Sequence, residues 1–220
     1  MNDNSLPLPP VFTWIPLPHL PHPPEHFIER AFSINYSNPE TDLLAQINPG
    51  HNEYKHRDII YQGKVHKSRC QEAQEMGPDW HQWVQENITA KYIATAARIN
   101  ATPPDDPDAT VHGPHVDGRL VRLYYLLDRG GEDCVTNFYV EPNKPFNQEG
   151  FYLNDHYNNI DELILIDRAK FPLRQWILIN GCILHGLTGI TGPRLNLVIT
   201  IRPEDFTFDV RTTTLPKSQS

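Results

Sequence analysis

The segment His112-Gly113-Pro114-His115-Val116-Asp117-Gly118 concentrates groups able to hold a metal ion. Alternate residues of a strand point to one face, so His115 and Asp117 can bind a single ion together. A third donor must come from elsewhere, and His185, set inside the apolar run Cys182–Leu187, is the best candidate. Two imidazoles and one carboxylate on one face of iron leave three positions for a co-substrate and dioxygen. Each piece alone is weak. A His-x-Asp triplet arises by chance, and a histidine in an apolar strand is more often a hydrogen-bonded core residue. His112 is the competing ligand. Its separation from His115 around Gly-Pro suits a helix better than a strand, which places it behind the ligands or on the surface.

A second chemical signal follows His185. The run Arg194-Leu195-Asn196-Leu197-Val198-Ile199-Thr200-Ile201 alternates strictly, with Arg194, Asn196, Val198 and Thr200 on one face and the aliphatic residues on the other. An arginine on the inner face of a barrel is costly unless a carboxylate meets it. A guanidinium is a rigid two-pronged partner for a carboxylate, so a bound dicarboxylic acid would serve. A surface arginine on an edge strand is the competing reading.

Taken together, these residues resemble the Fe(II)/2-oxoglutarate-dependent oxygenase superfamily. His115-x-Asp117 is followed 68 positions on by His185 and 9 positions after that by Arg194, in the family's order. Leu123-Tyr124-Tyr125-Leu126-Leu127-Asp128-Arg129-Gly130-Gly131-Glu132 looks like the strand and turn of the prolyl-hydroxylase branch. That branch usually continues with Thr where this chain has Asp133. Trp176 to His185 looks like the apolar hairpin that delivers the distal histidine. The nucleic-acid demethylase branch has Arg-x-Asn-x-Thr-x-Arg, and here Thr200 and Arg202 fall two positions late. The likeness covers roughly residues 92–202; the first ninety residues match no family.

The resemblance implies a double-stranded β-helix, the cupin-like jelly roll. It implies Fe(II) held by His115, Asp117 and His185, with 2-oxoglutarate and dioxygen as co-substrates. It places the far carboxylate of 2-oxoglutarate on Arg194, and on Tyr125 if the strand after Asp117 keeps its parity. Because Asp117 is present, it implies hydroxylation of a C–H bond rather than halogenation. The expected substrate is a protein or peptide side chain such as proline, with a free amino acid or small metabolite as the alternative. Two readings from other classes compete: a non-catalytic cupin-like binding barrel, and a metal hydrolase indifferent to Arg194 and oxygen.

These residues need elements to position them. The pattern is mainly β with supporting helices, an α+β arrangement. Short β-rich runs cover Val121–Leu127, Val135–Val140, Leu163–Ile166, Trp176–Ile179, Cys182–Leu187 and Leu195–Ile201, parted by Gly130-Gly131, Asn180-Gly181 and Gly192-Pro193. Lys91 to Asn100 precedes the metal motif and is read as a strand. A helix is expected from Pro24 to about Phe32, and another after Gly77-Pro78, with Asp79 as its cap. The expected organisation is a Pro-rich extended arm over 1–24, a helical support region over 25–90, the catalytic core over 91–204 and a tail over 205–220. The arm is expected to lie along the domain with Phe12, Trp14 and Ile15 tucked in, rather than to serve as an SH3-type ligand. The loop Glu141 to Asn159 is a candidate substrate lid.

Composition excludes some roles. The formal net charge of −8 and the absence of a dense Lys/Arg cluster make nucleic acid a poor fit as partner. No apolar run approaches the roughly 20 residues of a membrane span. The 3 cysteines are few and scattered, as in a reducing compartment, and no leader is visible, so a cytoplasmic place is expected. Partners are then small-molecule or peptide substrates, with oligomeric state left open.

Overall fold

Alternation of apolar and polar side chains is what lets a sheet bury one face or both. In this computed structural model it builds two facing sheets. The structure describes residues 12–36, 43, 57–101, 106, 108–117, 120–142, 157–202 and 205. The described strands are β1 (Trp14–Pro16), β2 (Asp58–Tyr61), β3 (Lys64–Lys67), β4 (Cys70–Gln74), β5 (Ala94–Ala101) and β6 (Val111–His115), followed by β7 (Val121–Arg129), β8 (Val135–Val140), β9 (Ile164–Ala169), β10 (Trp176–Asn180), β11 (Leu184–Thr188) and β12 (Arg194–Ile201). The larger sheet has the order β1-β10-β7-β12-β5-β4 and the smaller β6-β11-β8-β9, with all pairings antiparallel. From β5 to β12 the chain alternates between the sheets strand by strand except at the β8–β9 hairpin, pairing β5 with β12, β6 with β11, β7 with β10 and β8 with β9, and this is a double-stranded β-helix.

Strand β7 sets the two faces. Leu123, Tyr125 and Leu127 join Leu195, Leu197, Ile199 and Ile201 of β12 in a core on the outer side of the larger sheet. There they meet α1 (Glu25–Ser33) and α2 (Pro78–Asn87) through Phe27, Ile28, Trp80 and Val84. Each such large side chain contributes about 1.5–3 kcal/mol by leaving water. Trp80 is anchored as well, its indole N–H donating to Thr95 Oγ1 at 2.8 Å. Between the sheets, Leu126, Phe138, Phe171, Ile177 and Ile179 form a second core, with Tyr124 packed against it.

The arm joins the fold. β1 pairs with β10 at the sheet edge, Ile15 and Leu17 are buried, and the Trp176 indole N–H donates to the Pro21 carbonyl. Residues 1–11 lie outside the described residues, as do most of the expected lid, 143–156, and nearly all of the tail. The support region departs from the helical expectation, because residues 58–74 form β2, β3 and β4. β4 extends the larger sheet beside β5, and Ser68 and Arg69 bond to Gly113 and Val111 of β6, bridging the two sheets. Asp79 is not the cap of α2: Gly77 takes that place at φ 88°, and Asp79 instead pairs with Arg30 at 2.6 Å. The run expected from Cys182 begins as a strand only at Leu184, two residues later, because Gly181 and Cys182 turn the chain.

Candidate metal centre and adjoining pocket

β6 ends at His115, and the chain leaves the sheet there. Asp117 is held by its own N–H, which donates to the Gly181 carbonyl at 2.8 Å, and not by strand pairing. The turn after β10 comes close at this point. A Cβ on Gly181 would lie 2.6 Å from the Leu120 carbonyl oxygen and 2.8 Å from Asp117 Cβ. Glycine is what allows that approach. β11 lies beside β6 with His185 directly opposite His115, their rings 4.6 Å apart. Pairing register thus brings the distal histidine to the triplet.

Both histidines are oriented by the backbone. His115 Nδ1 lies 3.0 Å from the Gly113 carbonyl and His185 Nδ1 lies 2.8 Å from the Ile183 carbonyl. A carbonyl can only accept, so each Nδ1 donates, and in that tautomer it is Nε2 whose lone pair is offered. These atoms face Asp117, with His115 Nε2 at 3.7 Å from Oδ1 and His185 Nε2 at 3.5 Å from Oδ2. Neither distance is an ordinary hydrogen bond. The three ligand atoms all lie within 4.8 Å of one another, and the side chains are 12%, 5% and 6% exposed for His115, Asp117 and His185. Asp117 Oδ2 is buried with no hydrogen-bond partner. Converging acceptors without a donor between them repel one another unless a cation sits among them, and bonds of about 2.0–2.2 Å to N and O donors would span such a gap. The residues therefore fit a divalent metal ion.

Asp117 Oδ1 has a different neighbour, Arg122 Nη2 at 2.7 Å. Burial works against the charged guanidinium, but the Asp117 carboxylate, together with Tyr124, outweighs it and holds the Arg122 pKa above its ordinary value.

A pocket extends from the two histidines between the sheets, lined among others by Tyr124, Asn100, Phe171, Arg194 and Asn196. Arg194 is 5% exposed. Its guanidinium has long contacts, to the Arg129 carbonyl at 3.5 Å, Cys134 Sγ at 3.5 Å and Thr136 Oγ1 at 3.4 Å, and lies 5.8 Å from the Phe171 ring centre. No carboxylate among the described residues meets it. The surface-arginine alternative is therefore excluded by burial.

The structure brings together His115, Asp117, His185 and Arg194, and it separates Tyr125 from them. Tyr125 faces the outer core, its ring 5.1 Å from Trp176 and its hydroxyl 2.8 Å from His22 Nδ1. The tyrosine on the pocket side is Tyr124. Parity counted from Asp117 fails because Val116, Asp117 and Leu120 are not strand, so the alternation restarts at Val121. His112 lines the pocket and its Nδ1–H donates to the Arg69 carbonyl at 2.8 Å. Sequence reasoning missed Asn100 and Gln71 as pocket-lining groups and Arg122 as the partner of Asp117. For Arg122 the signal was available, since it shares the parity of Tyr124 along β7.

No family model matches the chain, and no curated protein matches it. Among solved structures it is similar to a Pseudomonas putida prolyl-4-hydroxylase, with 12% identity, 87% of this chain and 94% of that chain covered, and a TM-score of 0.39. It is also similar to SnoN, the non-heme alpha-ketoglutarate-dependent epimerase of nogalamycin biosynthesis, with 13% identity, coverage of 89% and 82%, and a TM-score of 0.42. AviO1 from Streptomyces viridochromogenes gives 12% identity, coverage of 90% and 93%, and a TM-score of 0.41. The chain resembles the Fe(II)/2-oxoglutarate-dependent oxygenases in the order and spacing of its motif.

Proposed function

We propose that the protein is a non-haem Fe(II)- and 2-oxoglutarate-dependent dioxygenase that hydroxylates a C–H bond. The observation that carries this reading is one pocket lined by His115 and His185, which with Asp117 form a buried cluster, and by a buried Arg194 guanidinium without a carboxylate partner among the described residues. A metal hydrolase needs only the first of these, and a binding barrel needs neither. His115 and His185 would hold the ion through Nε2, and Asp117 through Oδ2. When bound, Fe(II) supplies the activation of dioxygen, which no side chain provides. Arg194 binds and orients the far carboxylate of 2-oxoglutarate by charge-assisted hydrogen bonds. Phe171, 5.8 Å from the guanidinium, helps keep that end of the pocket dry. Overall, substrate, dioxygen and 2-oxoglutarate give hydroxylated substrate, succinate and carbon dioxide.

All four assigned residues fall within 91–204, which is the proposed catalytic core, and β4 adds a wall through Gln71. A protein or peptide side chain, with proline among those to test, is the first substrate class, on the likeness of the Leu123 to Glu132 stretch. Free amino acids are the second. A reducing, cytoplasmic setting suits an Fe(II) site, and neither Cys134 nor Cys182 is in a disulfide. No helix among the described residues is long and apolar enough to cross a membrane. The test is succinate release from 2-oxoglutarate in air with Fe(II), over panels of proline-containing peptides and amino acids. Succinate dependent on enzyme and abolished by His185→Ala is expected; undiminished release by His185→Ala would overturn the ligand assignment.

A further inference from the structure

The two oxygens of Asp117 live in different surroundings. Oδ1 is gripped by Arg122 Nη2 at 2.7 Å, while Oδ2 is buried and bare on the side of His185. Arg122 stands on the inner face of β7, its side chain 11% exposed, with Tyr124 two residues along the same face. A guanidinium inside a barrel costs several kcal/mol unless it is paired, so its place beside this carboxylate calls for a reason. Nothing in the oxygenase motif requires it, since His115, Asp117, His185 and Arg194 already supply the ligands and the co-substrate anchor.

We propose that Arg122 is a positioning residue that occupies Asp117 Oδ1, so that the carboxylate donates to the metal through Oδ2 alone. This rests on the metal-centre reading above. A carboxylate free to turn can chelate an ion through both oxygens and take up a further coordination position. With three protein donors, the remaining positions suffice for a two-point chelate and dioxygen; with a chelating carboxylate they do not. Arg122 thus guards the open face of the site without touching it.

The test uses the full chain loaded with Mn(II) in place of iron, which avoids oxidation and lets water-proton relaxation report metal-bound water. In Arg122→Met the ion is still bound, but relaxation enhancement per bound ion falls by about a third as one water is displaced. Affinity of the Mn(II) form for 2-oxoglutarate falls tenfold or more, within the range seen when groups behind metal ligands are removed. Arg122→Lys, which keeps a donor and the charge, restores most of both, and serves alone if the Met variant does not fold. Wild-type relaxation and wild-type 2-oxoglutarate affinity in Arg122→Met would overturn the proposal. A wild-type chain that binds no Mn(II) would overturn the metal-centre reading itself, a separate and recognisable failure.

Discussion

His185 shows how much a single hydrogen bond decides. Its Nδ1–H is spent on the Ile183 carbonyl, and this fixes both ring orientation and the nitrogen offered to a metal. The same holds for His115 and Gly113. The tyrosines of β7 allow a sharper residue-level prediction. Tyr124→Phe, on the pocket side, raises the 2-oxoglutarate concentration needed for half-maximal turnover several-fold. Tyr125→Phe leaves that requirement unchanged and loses about 1 kcal/mol of stability with its His22 contact, as urea denaturation would measure. The reverse pattern would place Tyr125 at the co-substrate. The grouping of His115, Asp117, His185 and Arg194 was legible from their order and spacing, although Asp117 lies beyond the end of β6 and owes its place to the Gly181 carbonyl rather than to strand alternation. Tyr125 was misplaced because parity does not survive a break between strands, and Arg122 was missed because the parity it shares with Tyr124 begins only at Val121.

At the scale of elements, the site depends on three strand ends converging. β6 stops at His115, β11 starts at Leu184, and the Gly181 turn carries Asp117 by one backbone hydrogen bond. Gly181→Ala therefore tests the arrangement away from any ligand. The added methyl would collide with Leu120 and Asp117 and costs about 1–3 kcal/mol. Metal affinity, read by titration of the folded variant, falls tenfold or more as Asp117 is displaced; unchanged affinity would show that the turn does not set the carboxylate. The strands from β7 to β12 were legible from their β-rich runs and glycine turns. β2 to β4 were not. Asp58-Ile59-Ile60-Tyr61 and Cys70-Gln71-Glu72-Ala73-Gln74 are too short or too polar to show a period, and β4 exists because the exposed edge of β5 offers it backbone partners.

For the whole molecule, the helices and the arm seal the outer face of the larger sheet, and surface pairs trim its pH response. A hydrogen bond from Arg30 pulls the Asp79 carboxyl down to about 2 from an ordinary value of 3.8. Because the fold favours the charged form, this contribution is complete above the ordinary value and is lost as pH falls toward 2. Thermal melts of Asp79→Asn should therefore lose stability less steeply than wild type below pH 4, and the difference should shrink with added salt. Neither helix packing nor this pair was readable from composition, since both depend on contacts far apart in the chain. The most direct test of the proposed activity is an anaerobic titration of the metal-free protein with Fe(II) and then 2-oxoglutarate, with Arg194→Ala alongside. A saturable visible charge-transfer band, needing at least tenfold more 2-oxoglutarate in the variant, is the expected result. Tight metal binding with no such band in the wild type would contradict the oxygenase reading and leave a barrel that holds metal for another purpose.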